Sequence, residues 1–123
     1  VAGRPEYLLR RITDWFKREA RREIIDLVET KSAQINKPHG KITIRDTRSR
    51  WGSCSSNGNL SFCWRLIMAP EWVLDYVVAH EVAHLLHHDH SPRFWNAVEG
   101  LTDQTEQAKK WLLQNGEGLH RYG

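Results

Sequence analysis

The stretch of this 123-residue chain whose residue types and spacing can do chemistry is His80-Glu81-Val82-Ala83-His84. On a helix, residues i and i+4 stand one above the other. His80 and His84 would therefore offer two imidazoles to one divalent cation. Glu81 follows the first of them and points about 100° round the helix, beside such a cation rather than on it. A general base stands in that position if it is to take a proton from a water that the metal activates. The surroundings are apolar: Val77, Val78, Ala79, Val82, Ala83 and Leu85. Burying two imidazoles and a carboxylate there without partners is costly, and a metal removes the cost. The bland reading is a solvated, His-rich helix end, since five of the seven histidines lie between positions 80 and 90.

Hydrolytic zinc sites keep three protein ligands and one open position. The first choice for the third ligand is His90, six residues after His84 and just before Ser91-Pro92. A chain leaving the helix near His87 can fold back and present it to the same Zn²⁺. Glu99, further downstream, is the alternative carboxylate ligand. His87 reads as a neighbour of the site or an exposed group, and His88 points elsewhere on helical spacing. Asp89 reads either as an acceptor for a ligand imidazole N–H or as a turn residue. Tyr76, one turn before His80, can hydrogen-bond near the site or simply pack in the core. Arg50 and Arg65 lie beside Trp51 and Trp64. They read first as salt bridges to helix carboxylates, and second as contacts to a substrate carboxylate or phosphate. Tyr76, Arg65, His120 and Tyr122 are the candidates for stabilising an oxyanion.

The elements that must position these groups follow from periodicity. Leu8, Leu9, Ile12, Trp15, Phe16, Ala20, Ile24, Leu27 and Val28 recur every three or four residues, which predicts one long amphipathic helix or two consecutive ones over residues 6–35. Its other face is basic, with Arg11, Lys17, Arg18, Arg21 and Arg22, and Pro38 and Gly40 end the region. Residues 41–45 alternate as a strand. Two β-type runs, 50–54 and 60–66, flank Asn57-Gly58, a hairpin-turn signal. The part of the second run from Leu60 to Trp64 is expected to form an edge above the cleft, where an extended peptide can add by strand pairing. Pro70 fits the first turn of a helix running to about 86. Ser91-Pro92 starts another, ended by Gly100, and Thr102 or Asp103 caps a last one to Gln114. The order predicts an α+β fold in which a small antiparallel sheet packs against the helices. Trp51, Trp64, Trp72, Phe94, Trp95 and Trp111 are expected mostly in the core.

Composition bounds the function classes. One domain over residues 1–123, with ends at 1–5 and 117–123 outside its core, fits the length. A hydrophobic content of 40% and a charged content of 27% describe an ordinary globular balance. No apolar run is long enough for a membrane span, and the first residues lack the apolar core of a secretion signal. A net charge of +3 permits anionic partners without arguing for nucleic acid. Cys54 and Cys63 are too few for a disulfide framework. They read as thiols in a reducing, cytoplasmic setting, placed so that they can face each other across the hairpin.

Four linked motifs carry a resemblance to a known family: Arg50-Trp51-Gly52-Ser53-Cys54-Ser55; Asn59-Leu60-Ser61-Phe62-x-Trp64-Arg65-Leu66-Ile67-x-Ala69-Pro70; Tyr76-Val77-Val78-x-His80-Glu81-x-x-His84-Leu85; and His90-Ser91-x-x-Phe94-Trp95. Over about residues 8–114 the chain resembles the YgjP-like metallopeptidases, and more distantly SprT-type and other zincin proteases. The resemblance implies a zincin-like fold, zinc held by His80, His84 and His90, and Glu81 as catalytic acid/base. The Gly found between the second and third His of metzincins is missing, so the turn after His84 must be made differently. The leading function is hydrolysis of a peptide or protein substrate. A DNA-associated protease or nucleic-acid-binding module, suggested by the basic residues 10–22, and a non-catalytic zinc-stabilised scaffold are the alternatives.

Overall fold

A computed structural model describes residues 4–47 and 50–115. The chain begins with α1 (Pro5–Gln34), followed by the strands β1 (Ile42–Arg45), β2 (Gly52–Cys54) and β3 (Leu60–Cys63). A 3₁₀ turn over Trp64–Met68 leads to α2 (Glu71–Ala83), α3 (Pro92–Leu101) and α4 (Thr105–Asn115). The fold is α+β. None of the described helices is long and apolar enough to cross a membrane.

The 30 residues of α1 form one helix, not two. Pro5 opens it, where its missing N–H is not needed. Asn36 closes it, ahead of Pro38 and Gly40. With φ at 59° it takes the left-handed position after the helix, and the N–H groups of Asn36 and Lys37 donate back to the carbonyls of Ala33 and Ser32. The apolar stripe is only half used. Ala20, Ile24 and Val28 are buried, while Leu8, Leu9, Ile12 and Trp15 remain 44–65% exposed.

The sheet is mixed, not purely antiparallel, with strand order β1-β3-β2. β2 and β3 form the expected hairpin, but β3 runs parallel to β1. Leu60 and Phe62 are almost wholly buried, and that apolar content takes β3 to the centre of the sheet. Alternation sets which face is buried, not which strands are neighbours. The free edge beside the helices is therefore β2, and not the Leu60–Trp64 run. In the hairpin turn only Gly58 has positive φ, at 83°. Its N–H donates to the Ser55 carbonyl, giving a three-residue loop rather than a tight Asn-Gly turn.

α2 is apolar on every side, and all its residues from Val73 to Ala83 except Asp75 are buried. It is packed by α1, α3, α4, β2 and the 3₁₀ turn. A helix wrapped in this way is a core helix rather than an amphipathic one. Three boundaries shift. Pro70 sits just before α2 rather than in its first turn, and α2 ends at Ala83, three residues early. Gly100 lies inside α3, whose last residue is Leu101. α4 starts at Thr105 with the Gln104 carbonyl accepting its first bond, so neither Thr102 nor Asp103 caps it.

One half-buried ion pair ties α1 to α2 and was not legible beforehand. Lys31 Nζ lies 2.8 Å from Asp75 and donates to the Leu101 carbonyl at 2.7 Å, while the Thr102 hydroxyl donates to the same Asp75 at 2.6 Å. Lys31→Ala takes the donor from the Leu101 carbonyl and the countercharge from Asp75, which keeps only the Thr102 hydroxyl. It should lower stability by about 2–4 kcal/mol, read from the urea midpoint at unchanged slope. Lys31→Met keeps the packed stem and should cost less.

Candidate metal centre

α2 delivers His80 and Glu81, and the residue that caps its C-terminus is His84, with relative exposures of 0%, 0% and 4%. His90 comes from the linker between α2 and α3 and is exposed. One ligand atom from each of His80, His84 and His90 falls within 4.8 Å of the others. A set of three imidazole nitrogens suits a borderline cation such as zinc. Glu99, on the exposed side of α3, is not part of this cluster.

The chain bends back to His90 without a glycine. At the end of α2 the bonding tightens from i−4 to i−3: the N–H groups of His84, Leu85 and Leu86 donate to Glu81, Val82 and Ala83. The turn ends with His84 Nδ1 against the His87 carbonyl at 2.9 Å. A carbonyl only accepts, so that ring carries its proton on Nδ1, and Nε2 is the nitrogen with a lone pair to offer a metal. On His80, Nδ1 and the Tyr76 hydroxyl are 3.2 Å apart in the buried core. Tyr76 thus packs in the core and also orients the His80 ring. Asp89 is exposed and accepts from the Ser91 N–H, which together with the Ser91 side chain holds its carboxyl below the usual range. It is a turn residue, and the positions behind the imidazoles belong to Tyr76 and the His87 backbone.

Aromatic rings wall the cluster. Phe94 stacks on His84 at 4.4 Å between ring centroids and meets His80 edge-on at 4.9 Å. Trp95 lies 5.6 Å from His80 and 6.0 Å from His90. Ser91 starts α3 by accepting from the Phe94 N–H, which sets the register that aims these rings. Trp51, Trp64 and Phe94 are core, whereas Trp72, Trp95 and Trp111 are half-buried against it.

Gly52 on β2 is a site residue that composition and spacing did not single out. A Cβ there would lie 3.0 Å from Glu81 Cγ and 3.2 Å from Glu81 Oε2. The strand can press against the carboxylate only because this residue has no side chain. The nearby Cys54 thiol is pushed up to about 11 by burial and by the Glu81 charge. Cys54 faces Leu60 across the hairpin, not Cys63, and both thiols are free. Arg65 is held by Asp46, a loop carboxylate rather than a helical one, and lies over the Trp64 ring. It is not part of the His80, His84 and His90 cluster. His120 and Tyr122 lie outside the described residues.

Two measurements check this geometry. Tyr76→Phe keeps the ring but removes the hydroxyl behind His80, and should weaken metal affinity about tenfold in a chelator competition with the fold intact. Cys54, at about 11 against an ordinary 9.0, holds about a hundredfold less thiolate than a free cysteine. Its labelling by an aromatic disulfide reagent at pH 8 should be correspondingly slow until urea unfolds the chain.

No curated protein matches the chain. Among solved structures, that of the metallopeptidase zymogen of Pyrococcus abyssi abylysin shares the fold with a TM-score of 0.65. Identity is 22%, and the match covers 74% of this chain and 92% of that one. The YgjP-like metallopeptidase domain matches residues 1–115, a span that takes in all three imidazoles, Glu81 and the β2 edge. This chain belongs to the YgjP-like metallopeptidase family.

Proposed function

We propose that the chain, folded as one domain over residues 1–123, is a zinc-dependent peptidase with His80, His84 and His90 as ligands and Glu81 as general base. The observation that carries this reading is the gathering of the three imidazoles beside a fully buried carboxylate. Bound zinc would lower the pKa of a water towards ~7 and polarise the scissile carbonyl. Glu81 takes the proton of the attacking water and returns it to the leaving amine nitrogen. Gly52 keeps the strand close, so the carboxylate has little room to swing away. The open side of the cluster is the His90 side, where substrate and solvent enter.

Substrate alignment falls to β2. The Cys63 N–H donates to Trp51 and the Ser55 N–H to Asn59, so residues 51 and 55 bond inward to β3. Antiparallel ladders alternate, which turns the N–H and C=O groups of Gly52 and Cys54 outward. An extended peptide can pair with them and lie along the face that carries Glu81. Two free thiols at Cys54 and Cys63 fit a reducing, cytoplasmic setting.

Glu81→Gln should keep metal at one per chain by elemental analysis and lower peptide cleavage at least a hundredfold. His80→Ala and His90→Ala should lose the metal itself. Undiminished cleavage by Glu81→Gln would refute the assignment of the base.

A further inference from the structure

The side of the sheet turned away from α2 is polar and charged. Thr43, Ser61 and Ser53 stand in register across β1, β3 and β2. They floor a hollow of about 500 Å³ rimmed by Lys41, Arg45 and Arg50. No carboxylate lines it, and among the described residues none of the three cations has an ion-pair partner. Arg45 leans across the central strand, donating from Nε to Ser61 Oγ at 3.1 Å. Arg50 lines the same hollow from the β2 side. A guanidinium pair over hydroxyl donors is a receptor for a carboxylate or phosphate.

The hollow reaches the β2 edge, since Ser53 and Cys54 both line it. Side chains directly opposite each other in paired strands share a face. In a peptide paired with β2, the residue opposite Ser53 and those two positions away therefore point to the hollow. Residues of the other parity point to Glu81. We propose that this hollow is a specificity site for an acidic side chain, carboxylate or phosphate, at alternate positions of an extended substrate strand. The proposal rests on the peptidase reading for its substrate and on the sheet face for its charge preference.

The test uses zinc-loaded Glu81→Gln protein and fluorescein-labelled extended octapeptides. One is a neutral Thr/Val reference; the others carry a single Glu or phosphoserine at each position in turn. Anisotropy should show about tenfold tighter binding for the acidic residue at positions of one parity only. The gain should vanish in an added Arg45→Gln/Arg50→Gln pair and in 0.5 M salt (about a 4 Å screening length). If no position tightens binding, or if the gain survives the double substitution, the proposal is wrong. It is also wrong if labelled DNA, rather than the acidic peptides, loses affinity on that substitution, because the hollow is then a nucleic-acid site. Cleavage of the neutral reference by the wild type, followed by mass spectrometry, separates the two readings. Cleavage without a charge effect removes only the hollow's role, and a charge effect without cleavage removes only the peptidase.

Discussion

The constraint on which the rest of the structure depends is electrostatic. α2 is apolar on every side, yet it carries two imidazoles and a carboxylate almost fully out of water. Ionisable groups in that position need partners aimed at them from several directions. The neighbouring elements supply them. Tyr76 stands behind His80, the tightened turn after Ala83 puts a carbonyl behind His84, and the linker before α3 brings His90 over the same spot. Phe94 and Trp95 fill the space between the rings and exclude water on that side. Among the three imidazoles only that of His90 belongs to an exposed residue.

The same constraint explains the sheet. β2 has three residues, too few to be stable on its own. It is held between β3 and α2, and Gly52 lets it approach Glu81 to van der Waals distance. One short strand therefore limits the motion of the Glu81 carboxylate on one side and, among the described residues, turns the backbone groups of two positions outward on the other. Its Ser53 side chain joins the charged face of the sheet, so the face that carries Glu81 and the cationic hollow are two sides of one edge. The Lys31–Asp75 pair clamps α1 to α2 below this site.

Much of this was legible in the sequence, for physical reasons that can be named. The His-Glu-x-x-His spacing fixes a helical face, and Ser91-Pro92 fixes where the next helix starts, which together place His90. Alternation in 41–45 and 60–63 marked strands and their buried faces. The neighbour order of those strands was not legible, because pairing is decided by which strand buries most, a property of the assembled core. The end of α2 was overestimated by three residues because Leu85 and Leu86 continue the apolar run while the backbone has already tightened toward His87. The half-used stripe of α1 shows the same limit: Leu8 and Ile24 carry the same periodic signal, and only contact with α2 and the 3₁₀ turn separates them. Gly52 gave no signal of its own, since the need for it comes from a carboxylate about thirty residues away in the chain.

The central claim is that this chain holds zinc on three imidazole nitrogens with one position left for solvent. X-ray absorption at the zinc edge of the loaded protein reads that shell directly. The account predicts four light scatterers at about 2.0–2.1 Å, with the multiple-scattering signature of three imidazoles. A sulfur at about 2.3 Å, or a fourth imidazole closing the shell, would contradict it.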